Sequence, residues 1–202
     1  MQINIDKKTG ILLSVIALLA LSTAALTTTL LSDNNDHDHS KMMDGMSHSN
    51  KGKVLSSSDA MFLQMMIPHH EQAIVMSDLA LKISKNEDLL TLAVQIKATQ
   101  GPEIVQMKKW LADDGVGEDP GHSMTGMGGM LSEEELSQLA MSSGKAFDRK
   151  FMTGMIEHHL GAIEMVNIIK NSKVAEIRAF ADAIIKTQSA EVELMNKLLA
   201  KI

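Results

Sequence analysis

The chain has 202 residues and a formal charge of −6, which bounds it to one ordinary domain with additional segments. Without any lysine or arginine cluster, that charge argues against nucleic acid as a partner; without cysteine, disulfides and attachment through a lipidated thiol are excluded. Four Phe, one Trp and no Tyr leave Leu, Ile, Val, Ala and Met to fill an interior, yet several of the 17 methionines stand in polar tracts with no core to fill.

Residues 1–31 come first. Lys7 and Lys8 precede an apolar run over residues 11–31, the layout of a secretory signal peptide or an uncleaved membrane anchor. The run approaches the roughly 20 residues that span a bilayer, while Ser22, Thr23, Ala24 and Ala25 offer a cleavage site, so both alternatives stand. Either one predicts export, to the periplasm or the outer face of the cytoplasmic membrane, with membrane contact only through this segment. Residues 32–58 are rich in Asp, Asn, Ser, Gly and Lys and read as a disordered tether carrying His37, His39, Met42, Met43, Met46 and His48.

A first helical hairpin is predicted over residues 59–114, with helices at about 59–83 and 88–113. Pro68 and Pro102 fall inside these helices and predict kinks rather than ends, because the matching places later in the chain hold helix-compatible residues. Residues 115–131 form a Gly- and Met-rich linker with His122, Met124, Met127 and Met130. In residues 132–202, Ser132 and Glu135 fit a capping box that opens a short helix before Gly144. A second hairpin follows, with helices at about 145–170 and 174–201.

The second hairpin repeats the first. Asp59 and Asp148, Met66 and Met155, His69 and His158, and Met76 and Met165 all stand 89 residues apart; Gln100 and Gln188, Glu103 and Glu191, and Met107 and Met195 stand 88 apart. Two like hairpins bury their apolar faces by packing on each other, which predicts an all-α, antiparallel four-helix bundle with pseudo-twofold symmetry.

At about 100° per residue, Phe62, Met66, His69, Ala73 and Met76 share one stripe, as do Phe151, Met155, His158, Ala162 and Met165. His70 and His159 lie at the edges. Adjacent histidines diverge by roughly 100°, which predicts that His69 and His158 point into the bundle and their neighbours toward a flanking helix. A lone histidine on such a stripe is more often a hydrogen-bonded core residue than a ligand. Two His-His pairs at the same methionine spacing shift the balance toward metal, because four buried imidazoles are costly unless each is satisfied.

Thioether and imidazole suit copper, above all Cu(I), whereas calcium, magnesium and manganese prefer oxygen. The candidate ligands in the helices are Met66, His69, His70, Met76, Met155, His158, His159 and Met165, with Met107 and Met195 as core fillers that could also serve. Met61, Met65, Met141 and Met152 read as core. Loop sulfurs at Met124, Met127 and Met130 could converge on one Cu(I), and His37 with His39 resembles a tract for Cu(II) or zinc. A ferritin-type di-iron site would need Glu three residues before His69 and His158; Met66 and Met155 stand there instead. Glu103 and Glu191 then read as solvated or as capping the bundle by hydrogen bonds.

These residues resemble the exported bacterial family catalogued as domain of unknown function 305, which carries a Phe-x-x-x-Met-Ile-x-His-His-x-x-Ala-Ile-x-Met pattern. Both copies here match it, from Phe62 to Met76 and from Phe151 to Met165. The resemblance implies a ferritin-like helical bundle, extracytoplasmic copper binding and copper tolerance, with Met66, His69, His70, Met76, Met155, His158, His159 and Met165 as ligands. The resulting expectation is a non-enzymatic protein that sequesters Cu(I) or hands it to a copper exporter or another copper carrier. The rivals are a ferritin-like metal oxidase and a helical interaction module without metal. Because imidazole must be neutral to bind, affinity is expected to fall below about pH 6 at the helices and to persist in the methionine loop.

Overall fold

The first helix, α1 (Ser57–Ile83), begins where Ser56 and Asp59 close a capping box, each side chain accepting the other's main-chain amide at 3.0 to 3.1 Å. The computed structural model describes residues 54–119, 121 and 128–202. The predicted export segment and most of the predicted tether lie outside these residues. The tether's last residues do not: the Asp114 carboxylate accepts the amides of Val54 and Leu55 at 2.8 and 3.0 Å, and Leu55 packs on the core. Val54 and Leu55 are thus already tied to the fold, ahead of the predicted start at Asp59.

Asn86 caps the second helix, α2 (Glu87–Asp113), by accepting the Asp88 amide at 3.1 Å. Pro68 and Pro102 both lie inside continuous helices. The short α3 (Glu133–Ala140) starts with the capping box that Ser132 and Glu135 predict. It is followed by α4 (Gly144–Met165) and α5 (Ala175–Leu199). The predicted end of α4 near residue 170 is corrected: the α-helix stops at Met165 and a 3-10 turn, Val166–Ile168, succeeds it, with the Ile169 amide donating to Val166 O at 3.0 Å. Three β-branched residues (Val166, Ile168, Ile169) disfavour further α-helix there, and the tighter i to i+3 turn brings the chain round to α5.

The helices form an antiparallel four-helix bundle in which α1 pairs with α2 and α4 with α5. The two hairpins meet mainly through α1 against α4. Trp110 on α2 and Phe180 on α5 add an edge-to-face contact at 5.2 Å, and the Ser84 hydroxyl, just past α1, donates to Asp148 on α4 at 2.7 Å. Among the described residues no helix is long and apolar enough to cross a membrane.

The interior is two apolar clusters, not one. Phe62, Met66, Ile104, Met107, Ala162, Met165, Ile177 and Ile184 belong to the first; Ala73, Met76, Leu89, Ile96, Phe151, Met155, Met195 and Leu198 to the second. Along each of the four long helices the change from one cluster to the other happens across a buried polar belt: His69 and His70 on α1, Gln100 and Glu103 on α2, His158 and His159 on α4, Gln188 and Glu191 on α5.

Candidate metal centre

Helical spacing turns the two histidines of each pair in different directions, and each finds a different partner. His69 and His158 meet across the α1–α4 contact, their ring centroids 3.7 Å apart and their planes tilted by 36°. These two residues stand 89 positions apart at matching places of the sequence, so the contact joins like positions on α1 and α4. His70 turns to α2 and donates from Nε2 to Glu103 Oε2 at 2.9 Å; His159 turns to α5 and donates from Nε2 to Glu191 Oε2 at 2.7 Å. All four imidazoles are buried.

These bonds fix protons. A carboxylate only accepts, so Nε2 of His70 and of His159 carries a hydrogen, and in the neutral ring Nδ1 carries the lone pair. The Gly128 carbonyl does the same to His69, whose Nε2 donates to it at 2.7 Å. Nδ1 of His69, His70 and His159, and both nitrogens of His158, are buried with no hydrogen-bond partner among the described residues. A buried lone pair left unmatched costs on the order of 1–3 kcal/mol, so these atoms need a partner. Imidazole oriented by a carboxylate on one nitrogen, with the other nitrogen free, is the arrangement by which metal-binding histidines are held and made more basic.

Burial also keeps the central pair neutral. Desolvation pushes the His69 imidazole down to about 3, against the raising effect of its Gly128 bond, with His70 and His159 lowering it further. His158 is driven well below the ordinary histidine range by burial first and by the three neighbouring imidazoles second; the His69 main chain beside it offsets this only in part.

The methionines are grouped in a way that chain order hides. Met66, Met107 and Met165 share one cluster; Met155, Met195 and Met76 share the other. Each set draws on both hairpins, and the repeat maps one set onto the other. Met66 therefore packs with Met165 of the other hairpin rather than with Met76 of its own helix. The reason is length: ten residues at 1.5 Å rise put Met76 about 15 Å from Met66, on the far side of the histidine belt.

The carboxylates are the correction to the sequence reading. Glu103 and Glu191, read there as solvated or as capping the bundle, are buried and bonded to the outer histidine of each pair. Their matched spacing behind Gln100 and Gln188 was the available signal. Met61 and Met141, expected in the core, are exposed at 41% and 76%, while Met65 and Met152 are buried. Met130 is half-buried. His122, Met124 and Met127, like His37, His39, Met42, Met43, Met46 and His48, lie outside the described residues. Among the described residues no three His, Asp or Glu side chains gather at one point, so a soft ion held here would take sulfur as well as nitrogen.

The protein is a four-helix bundle with a buried histidine belt between two methionine-containing apolar clusters. The chain matches the family described as domain of unknown function (DUF305) over residues 59–199, as a single match spanning both hairpins, and it belongs to that family. A DUF305 fragment from Deinococcus radiodurans is 28% identical, with a TM-score of 0.69 over 73% of this chain and 98% of that one. A DUF305 protein from Streptomyces coelicolor is 28% identical, with a TM-score of 0.68 over 72% and 93%. CopM in its Cu(I)-bound form is 33% identical, with a TM-score of 0.61 over 71% and 96%; CopM structures with Cu(II) and with Ag are also similar. No curated protein matches the chain significantly. The comparisons support a copper-associated role at the level of the family.

Proposed function

We propose that this is an exported copper-binding protein, without catalytic activity, that takes up Cu(I) through methionine and histidine and sequesters it or hands it to an exporter or another carrier. The observation that carries the reading is the set of buried, unmatched Nδ1 atoms on His70 and His159, each backed by a carboxylate and each between two thioether clusters. Soft sulfur with neutral imidazole selects Cu(I) over hard cations. His70 would bind with Met66, Met107 and Met165 within reach of its belt, and His159 with Met155, Met195 and Met76, while His69 and His158 supply nitrogen where α1 meets α4. The tracts with His37, His39, Met42, Met43, Met46 and His48, and with His122, Met124, Met127 and Met130, carry the same ligand types and serve to gather ions; His37 and His39 also suit Cu(II). Copper is cargo here. Export to the periplasm or the outer face of the cytoplasmic membrane rests on the charge and hydropathy of residues 1–31.

The test is an anaerobic Cu(I) titration of the full chain against a competing chelator, beside a variant with His69, His70, His158 and His159 all changed to Ala. Loss of the tightest binding in the variant is the expected result. Superimposable curves would confine copper to the tracts outside the bundle.

The second reading, a ferritin-like metal oxidase, is favoured by the two buried carboxylates. Each is already engaged by one histidine. Oxygen uptake on addition of Cu(I) or Fe(II) to the purified protein would establish it.

A further inference from the structure

The sequence repeat is broken at one functional place. Gln72 on α1 is equivalent to Gly161 on α4, both 89 residues apart and both within three residues of the central histidines. In the structure these two positions hold opposite sides of the same short segment, residues 128–131. Gln72 grips its end by two hydrogen bonds, accepting from the Leu131 amide at 2.7 Å and donating to the Leu131 carbonyl at 2.8 Å. Gly161 makes room for its start: a Cβ there would run into the Gly128 carbonyl. Between them Gly129 lies against the Glu157 carbonyl and the His158 main chain, and Leu131 lies on Gly154, 3.3 Å from where its Cβ would be. Gly128 and Gly129 have φ of +55° and +75°, backbone that side chains disfavour.

The segment is therefore a strap laid along α4, from Gly161 to Gly154. Its chemical effect falls on one histidine only. The Gly128 carbonyl takes the Nε2 proton of His69 at 2.7 Å, and Gly128 also lies against Met165, whose Sδ is 3.2 Å from the place of a Cβ. His158 receives no bond from the strap; the His69 main chain lies beside it, but neither ring nitrogen has a partner at hydrogen-bond geometry among the described residues. His69 can offer only Nδ1, in the single ring orientation the strap allows. His158 can offer either nitrogen.

We infer that the strap makes the two repeat-equivalent central histidines unequal ligands, so that His69, held by its Gly128 bond, accepts a soft ion first and His158 later, with Gln72 and Gly161 as the positioning residues. The Gly128 bond fixes the His69 ring and makes its Nδ1 more basic, whereas the His158 ring has to be oriented as the ion binds. This rests on the copper reading above and adds an order of filling to it.

The experiment follows the imidazole nitrogens of 15N-histidine-labelled full chain by NMR as Ag(I), a diamagnetic soft ion, is added. The His69 signals should move ahead of those of His158, with an affinity gap of about tenfold or more, the size of orienting effects on metal ligands; His158 moving first overturns the inference. In Gly161→Ala, which displaces Gly128, and in Gln72→Ala, which releases Leu131 without adding bulk, the two should move together. Metal-free protein gives an independent readout: the His69 Nε2 proton should exchange slowly in the wild type and quickly in both variants. Simultaneous movement in the wild type, or an unchanged order and unchanged exchange in both variants, overturns the inference. Absence of movement at all four bundle histidines overturns the copper reading itself.

Discussion

The imidazoles of His69 and His158 lie centroid to centroid at 3.7 Å across the contact between the two hairpins, and burial opposes the charge of both. The unfolded chain protonates these groups near the ordinary value of about 6.5, the folded chain only near 3 for His69. Between those values the unfolded state binds more protons, so stability falls as pH falls through that window and is insensitive to this pair above it. The slope approaches about 1.4 kcal/mol per pH unit for each such histidine. Urea unfolding of metal-free protein at pH 7.5, 6 and 5 should show that decline, and a His69→Gln, His158→Gln double variant should flatten it. A wild-type profile that is already flat contradicts a buried neutral pair. The same shift bears on the expected loss of copper affinity below pH 6: in the folded bundle protons do not compete with the ion at His69 and His158 near that pH.

Glu103 and Glu191 fix the tautomers of His70 and His159, and that role separates charge from packing. Glu103→Gln and Glu191→Gln keep an acceptor oxygen beside each Nε2 and should leave the fold intact. Removal of the carboxylate behind a metal-binding histidine costs about 10–100-fold in affinity, and each substitution should weaken Cu(I) binding by that order. Changing either residue to Ala adds a buried unpaired N–H, destabilising the metal-free protein by about 1–3 kcal/mol. Chelator competition and urea unfolding measure the two effects separately; unchanged affinity in both Gln variants would make these carboxylates structural only.

The helices, the bundle and the direction of the histidines were legible because each follows from local periodicity: Phe62, Met66, His69, Ala73 and Met76 mark a buried stripe at any level of reading. The sulfur sets were not. Whether Met66 joins Met76 or Met165 depends on how α1 crosses α4, which no single helix encodes. The His70–Glu103 bond hides for the same reason, since it spans 33 residues and two helices. The strap at Gly128 was hidden for a different one: its glycines read as linker flexibility, and only the backbone contact with Gly161 reveals that they are there to fit. Val54 and Leu55 joined the fold through Asp114, a polar residue at the end of α2 that gave no sequence signal of a partner 60 residues away.

If soft-ion binding belongs to the native bundle, it must stabilise the bundle. A ligand held only by the folded state contributes about 2.7 kcal/mol at a free concentration 100 times its Kd. Ag(I) should therefore raise the Tm of the wild type at pH 7.5 and should raise it much less in the variant with all four bundle histidines changed to Ala. An equal rise in both would assign the ions to residues outside the bundle, and no rise in either would favour a helical interaction module.

The cross-hairpin grouping of sulfur gives a test that chain order would answer differently. Met66→Leu and Met165→Leu conserve volume in the same cluster, so each should cost less than about 1.5 kcal/mol of stability while lowering Cu(I) affinity. Substitutions that touch one bound ion are non-additive, whereas distant ones add within about 0.3–0.5 kcal/mol. The Met66→Leu, Met165→Leu pair should therefore lose less affinity than the sum of its parts, since the second change removes a ligand from a site already impaired. Met66→Leu with Met76→Leu, which lie in different clusters, should show two independent losses, one in each half of the bundle. The reverse pattern, with Met66 coupled to Met76 and independent of Met165, would place each ion along a single helix and refute the grouping.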